Sequence, residues 1–177
     1  DSLTNNTTGE ITILGDTSTK NLQNSGTLSI SGSLSATETL TNNTTGEITI
    51  LGDTLAKNLQ NSGSLTITGA LYNSETLTNN NTLTISGSTY TKNFTNTGSA
   101  SIQGTLEAEE ISNNNTLETN SNIIVNNTLT NTGSLTTAGS LSTKELTNEE
   151  SISVSQNLIA QNLTNNKNIN VNENLSI

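Results

Sequence analysis

The sequence predicts an all-β fold, a parallel β-solenoid of about ten three-sided coils, and three observations carry this prediction. An aliphatic or aromatic residue followed two places later by asparagine recurs ten times, at a spacing of 17 to 19 residues. Between recurrences, apolar residues alternate with Ser and Thr, which is the period of a β-strand. A repeat this short cannot bury its apolar face alone and has to stack on copies of itself. We therefore expect residues 1–177 to form one β-helical segment.

The recurring asparagine defines the repeat. We expect it to point inward next to a corner, where its amide can bond the asparagines of the coils above and below and also satisfy turn backbone. This predicts a structural role, and no ligand role, for the column. Its members are Asn5, Asn24, Asn42, Asn61, Asn79, Asn96, Asn113, Asn131, Asn148 and Asn165.

The residues from Phe94 to Glu110 illustrate how one coil is divided. Small residues at Gly98 and Gly104 interrupt the alternation, and glycine supplies the backbone freedom that corners need. The three predicted strands run roughly from Phe94 to Asn96, from Ser99 to Gln103 and from Thr105 to Glu107.

Stacking in parallel places equivalent residues in columns. One inward column is predicted to contain Leu28, Ile48, Leu65, Leu83, Ala100, Leu117, Leu135, Ile152 and Ile169, and another Ile30, Ile50, Ile67, Ile85, Ile102, Val154 and Val171. The outward rows between them are mostly Thr and Ser, which we expect to be solvated. Water ordering, as in ice-binding solenoids, is an alternative, but Glu118 and Asn170 interrupt the row.

The first four coils contain an internal duplication. Residues 4–17 and 41–54 are identical, so residues 3–39 and 40–76 are near-duplicate units of two coils each. We infer that whatever these coils do tolerates copying.

The composition excludes several classes of function. The chain lacks Cys, His, Met, Trp and Pro, and its five basic residues are all lysine. A net charge of −10 repels phosphate backbones and anionic lipid surfaces, so we expect no nucleic-acid and no membrane partner.

Catalytic and metal-binding patterns are also missing. The aspartates Asp16 and Asp53 occupy matching Gly-Asp-Thr corners and face no evident partner, and the Glu109/Glu110 and Glu149/Glu150 pairs are interpreted as solvated charge. No Gly-Gly-x-Gly-x-Asp calcium repeat is present. We expect no enzyme, no cofactor and no metal site. Lys20, Lys57, Lys92 and Lys144 fall near one corner beside glutamates, an arrangement that favours charge balance.

If the shaft itself binds, it needs a distinct contact patch, and a few large side chains are the candidates for it. Tyr72, Tyr90 and Ile124 are the candidates, whereas Phe94 is expected to point inward. An alternative is that the two tyrosines only fill a shoulder of the coil.

Three strings resemble the repeats of filamentous haemagglutinin. They are Gly-Ser-Leu-Ser-Thr-Lys-Glu-Leu-Thr-Asn at 139–148, Gly-Thr-Leu-Glu-Ala-Glu-Glu-Ile-Ser-Asn at 104–113 and Gly-Ser-Leu-Ser-Ala-Thr-Glu-Thr-Leu-Thr-Asn at 32–42. The resemblance covers nearly the whole chain. It implies a right-handed parallel β-helix from a large exoprotein of the two-partner (type V) secretion class, which includes adhesins and contact-dependent growth inhibition effectors.

These observations lead to an expectation about function. We expect the shaft of a bacterial extracellular adhesin or surface fibre, with a shaft that itself binds a host glycan or receptor, or the stalk of a growth inhibition effector, as alternatives. Expected partners are the rest of a longer chain or copies stacked end to end, and a host-surface glycan or protein. The expected location is the bacterial cell surface.

Overall fold

The computed structural model describes all residues from 1 to 177 and consists of twenty-one β-strands and no helix. The strands are β1 (Ser2–Asn5), β2 (Glu10–Ile13), β3 (Thr17–Asn24), β4 (Thr27–Ile30), β5 (Leu34–Asn42), β6 (Glu47–Ile50), β7 (Thr54–Asn61), β8 (Ser64–Ile67), β9 (Leu71–Asn79), β10 (Thr82–Ile85), β11 (Thr89–Asn96), β12 (Ser99–Ile102), β13 (Leu106–Asn113), β14 (Thr116–Thr119), β15 (Ile123–Asn131), β16 (Ser134–Thr137), β17 (Leu141–Asn148), β18 (Ser151–Val154), β19 (Leu158–Asn165), β20 (Asn168–Val171) and β21 (Leu175–Ser176).

Long and short strands alternate along the chain and separate into two sheets. The odd-numbered strands form an eleven-stranded sheet and the even-numbered strands a ten-stranded sheet, each in chain order. Every pairing is parallel, as between β10 and β12, where Leu83 lies opposite Ala100. The chain is therefore a right-handed parallel β-helix of about ten coils, which confirms the fold class predicted from the sequence.

The corner between two of the three predicted sides lies inside the long strands. In β13, burial alternates up to Ala108, Glu109 and Glu110 are both exposed, and the alternation resumes at Ile111. The pairing of β13 with β15 shifts register at the same place. Each long strand thus bends from one side of the coil to the next while its backbone ladder continues. The prediction of three separate strands per coil was wrong in this respect.

The inward apolar side chains of successive coils stack into one continuous hydrophobic core that runs the length of the molecule. It contains 33 buried hydrophobic residues, among them Phe94 at 1% exposure. Both columns predicted for the short strands point inward, and Thr119 and Thr137 complete the second of them. The alternation of the sequence therefore predicted the core correctly.

Coil length varies at only two places. The turn after the long strand has two residues in most coils but four after Asn5 and Asn42, where a Gly N–H donates to an Asn carbonyl at 2.8 Å. The bend of the long strand gains one residue in the nine-residue strands β5, β9 and β15. The other turn always has three residues. The 17- to 19-residue spacing follows from these insertions.

Glycine serves the corners for a different reason from the one predicted. No glycine has a positive φ, so backbone freedom is not what these corners require. A Cβ on Gly63 would instead lie 2.2 Å from the Gly46 carbonyl oxygen, and one on Gly98 would lie 2.1 Å from the Asn81 carbonyl oxygen. Successive coils approach so closely at these positions that a side chain would push them apart.

Candidate binding face

The ten repeat asparagines form one continuous hydrogen-bonded ladder. The Asn5 Nδ2 donates to Asn24 Oδ1 at 2.9 Å, and every later asparagine up to Asn148 donates to the next, at 2.8 to 3.0 Å. From Asn24 to Asn148 the side chains are fully buried, whereas Asn165 is exposed. Nine amide–amide bonds therefore run along the axis inside the molecule.

The same amides also hold the turns. The Asn24 Nδ2 lies 2.8 Å from the Gly26 carbonyl oxygen of its own turn and 3.1 Å from the Glu47 carbonyl oxygen of the next coil. Because each NH₂ group reaches a neighbouring asparagine and turn backbone at once, its hydrogen-bonding capacity is used within the fold. The buried amides of the ladder, from Asn24 to Asn148, therefore donate within the fold.

The aspartates of the Gly-Asp-Thr corners bind backbone of the adjacent coil. Asp16 Oδ1 accepts a 2.8 Å hydrogen bond from the Ser33 N–H, and Asp53 Oδ1 accepts one of the same length from the Ala70 N–H. Asn122 makes the equivalent bond to Ser140 in a coil without glycine. These side chains tie one coil to the next.

The predicted contact residues Tyr72, Tyr90 and Ile124 lie in one outward column. The column runs along the first half of the long strands, with Tyr72 opposite Tyr90, Tyr90 opposite Glu107, and Glu107 opposite Ile124. In chain order its members are Ser18, Ser35, Leu55, Tyr72, Tyr90, Glu107, Ile124, Ser142 and Ile159. We call the part from Ser18 to Glu107 the tyrosine face.

The two tyrosine rings stack on each other. Their centroids are 5.4 Å apart and their planes differ by 4°. Parallel in-register pairing sets this distance, because adjacent strands are about 4.8 Å apart. Tyr72 remains 46% exposed and Tyr90 39%. The rings therefore stand out from the surface as one block, with their planes facing along the axis.

Leu55 belongs to the same surface, although sequence reasoning did not single it out. It lies opposite Tyr72 and is 50% exposed. The signal was present, since Leu55 falls between the inward positions Thr54 and Ala56 of an alternating strand. Leu55, Tyr72 and Tyr90 form an unbroken apolar ridge over three coils.

Two shallow grooves flank the tyrosine block at the bend of the long strands. The first, of about 390 Å³, is lined by residues of four successive long strands, including Ser35, Leu55, Tyr72 and Tyr90. The second, of about 590 Å³, lies beyond Tyr90 and is lined by polar residues including Glu107, Glu109 and Glu110. One groove is thus largely apolar and the other acidic.

The bend beside this face carries charges of alternating sign. Lys57 Nζ lies 3.8 Å from a Glu38 carboxylate oxygen, and Lys92 Nζ lies 3.6 Å from Glu75. All four side chains are about half exposed, so these pairs contribute little to stability. The lysine and glutamate corner predicted from the sequence exists and adjoins the tyrosine face.

No group of three or more His, Cys, Asp or Glu side chains is placed to hold a metal ion. The fold also contains no helix of the length and apolar character needed to cross a membrane. Comparison with protein-family models, with curated proteins and with solved structures found no match to this chain.

Proposed function

We propose that this chain is a structural shaft, a rigid spacer within a bacterial extracellular adhesin or surface fibre. The observation that carries the proposal is the unbroken axial continuity of the molecule. Both sheets and the asparagine ladder run through every coil without interruption. The β-solenoid fold is compatible with such a role.

Continuity has a mechanical consequence. Each coil contacts only its neighbours, so length grows in proportion to coil number, by about 4.8 Å per coil. Bending the axis would strain two hydrogen-bonded sheets and the buried amide ladder together. A chain of ten such coils is a stiff rod on the order of 50 Å long.

The pattern of variation also supports a spacer. Length changes are confined to the bend and to one turn, and neither place interrupts the ladders. The near-duplicate units at 3–39 and 40–76 add two coils without altering the cross-section. A function that depends on length accepts such copying, whereas a unique site would be displaced by it.

The experiment exchanges coils while keeping their number. In the full-length protein of the producing bacterium, residues 62–96 are replaced by a copy of residues 25–61, two coils for two. This exchange removes Tyr72 and Tyr90 but repeats the alternating Glu38 and Lys57 corner. The matched control replaces residues 132–165 with the same copy and leaves the tyrosines in place.

A spacer predicts that both exchanges leave surface display and attachment to host cells unchanged. Labelling of intact cells with an antibody against the chain checks display and the extracellular location. Loss of attachment in the first exchange alone, with display intact, would show that the shaft itself binds a host molecule and would overturn the proposal.

A further inference from the structure

The charges beside the tyrosine face change sign at every coil from β3 to β13. In chain order they are Lys20, Glu38, Lys57, Glu75, Lys92 and Glu109. Only two of the five steps between them are closed by an ion pair within the chain, Glu38–Lys57 and Glu75–Lys92. A row of half-exposed alternating charges is complementary to any surface with the reversed order of signs.

Side-chain size also increases along the tyrosine face, from Ser18 to Tyr90. The column begins with the small Ser18 and Ser35, continues through Leu55, and then rises to the stacked Tyr72 and Tyr90. The 390 Å³ groove runs beside this column, from Ser35, Ala36 and Thr37 to Tyr72 and Tyr90. The face therefore carries a projecting block and, beside it, a depression.

A second copy of the chain fits both features, and symmetry selects its direction. Two copies that present the same face to each other form a closed pair only about a twofold axis. If that axis runs along the shaft, each coil faces its own equivalent, so the tyrosine blocks collide. The two rows of corner charges then lie on opposite flanks of the contact and do not pair. If it is perpendicular to the shaft, the coil order of the second copy is reversed.

When the perpendicular axis passes between β7 and β9, every charge in the row faces a charge of opposite sign on the second copy. It places β7 opposite β9, β5 opposite β11, and β3 opposite β13 of the second copy. The resulting charge pairs are Lys57 with Glu75, Glu38 with Lys92, and Lys20 with Glu109, each formed twice. The column pairs are Leu55 with Tyr72, Ser35 with Tyr90, and Ser18 with Glu107.

We propose that the tyrosine face is the contact surface of an antiparallel, side-by-side dimer of this chain. The tyrosine block of each copy packs against Leu55 and Ser35 of the other, beside the 390 Å³ groove, and the alternating corner charges fix the register. Half-buried tyrosines at the centre of a patch supply most of the binding energy in such contacts. Charges at the rim contribute orientation more than affinity.

The first test measures association of the purified chain by sedimentation equilibrium. The chain dimerises, and Tyr72→Ser with Tyr90→Ser raises the dissociation constant by at least about tenfold, the loss typical of central aromatic contacts. Ile159→Ser is the matched control, because Ile159 is a 50% exposed apolar residue of the same column outside the paired coils. Unchanged circular dichroism and melting temperature show that the variants remain folded.

The second test measures direction by disulfide formation, which the absence of native cysteine makes selective. A Ser18→Cys chain mixed with a Glu107→Cys chain forms the mixed disulfide. Neither chain links efficiently to itself, because in the antiparallel pair the two copies of residue 18 are about 24 Å apart along the axis, five coil steps. Self-linked Ser18→Cys dimers would mean a parallel pair and would overturn the proposal.

A chain that stays monomeric overturns it as well, including the case in which the tyrosines bind saccharide in a glycan-binding assay and no dimer forms. These outcomes are separate from the test of the shaft role. Coil exchange measures the attachment of the full-length protein to host cells, whereas sedimentation and disulfide formation measure contact between two purified copies of the chain.

Discussion

Buried hydroxyl groups mark the positions where this core departs from an apolar column. From β3 to β13, the first inward position of the long strands alternates between threonine and leucine. The threonines are Thr17, Thr54 and Thr89, and the leucines are Leu34, Leu71 and Leu106. Thr54 and Thr89 are fully buried, and their hydroxyls have no hydrogen-bond partner. Burying a hydroxyl group without a hydrogen-bond partner lowers the stability of the fold, because the hydrogen bonds it made to water are not replaced.

Thr54→Val should therefore stabilise the chain, raising the free energy of unfolding by about 1 kcal/mol, because valine has the same shape without the hydroxyl. Urea denaturation measures the change. Thr119→Val is the control and should destabilise, since the Thr119 hydroxyl lies 2.8 Å from the Ser121 carbonyl oxygen and 2.9 Å from the Thr137 hydroxyl. Equal effects of the two substitutions would contradict the assignment of Thr54 as unsatisfied.

The asparagine ladder makes a second prediction for a single residue. Asn96 is fully buried, donates to Asn113 and to the Thr116 carbonyl at 2.8 Å, and accepts from Asn79. Asn96→Ala leaves several buried polar groups unpaired and should lower the free energy of unfolding by about 3 kcal/mol or more.

The matched variant is Asn126→Ala, which removes an exposed amide bonded only to Glu109 at 3.3 Å. It should change the free energy of unfolding by less than about 0.5 kcal/mol, as surface substitutions usually do. If Asn96→Ala were as mild as Asn126→Ala in the same urea titration, the ladder would not be a main source of axial stability.

The strands show where sequence reasoning succeeds and where it stops. Alternation with period two identified the inward columns, because burial of one face of a strand dictates the residue types on that face. Asn96 and its equivalents likewise marked the end of each long strand. The exposed pair Glu109 and Glu110 marked a corner, but a pattern of exposure does not reveal whether backbone pairing continues through it. Pairing across the bend depends on the backbone of the adjacent coils.

The same limit applies to the tyrosine face. Tyr72 and Tyr90 were predicted from the sequence as candidate contact residues, and their stacking follows once the coil spacing is known. Leu55 was missed because a single outward leucine is common on protein surfaces. Its neighbour in space is 17 residues away in sequence, so only the register joins it to the ridge.

The turns make a prediction about insertion. The turn after the long strand already exists in two lengths, and its four-residue form is Asn-Thr-Thr-Gly at 6–9 and 43–46. Replacing Ser62 by Asn-Thr-Thr should convert a two-residue turn to this form and leave the melting temperature within about 3 °C, because the columns on both sides keep their phase.

The control inserts the same number of residues, Thr-Thr, between Ser86 and Gly87 in the turn that has three residues in every coil. There the Gly87 N–H donates to the Gly69 carbonyl of the coil below, so extra residues separate the two backbones. This variant should melt well below the parent in thermal circular dichroism. Equal tolerance at the two turns would mean that the constant turn length has no structural cause.

The whole molecule is a one-dimensional stack, and its stability and length should therefore respond to whole coils. Removing residues 43–79 joins Asn42 to Asn80 and deletes two complete coils from the middle, so all columns remain in phase. The shortened chain should fold with the same circular dichroism per residue. Its longest dimension in small-angle scattering should fall by about 10 Å, two strand spacings.

Removing residues 43–70 deletes fewer residues but joins the end of β5 directly to the start of β9, so one coil lacks its short strand. The sheet of short strands then has a gap between β4 and β10. Each of these two strands loses the neighbour that completes its hydrogen bonds on that side. This variant should unfold at lower denaturant or aggregate. Because the larger deletion is expected to be the milder one, the comparison separates dependence on coil phase from dependence on chain length, and the reverse order of stability would contradict the stack.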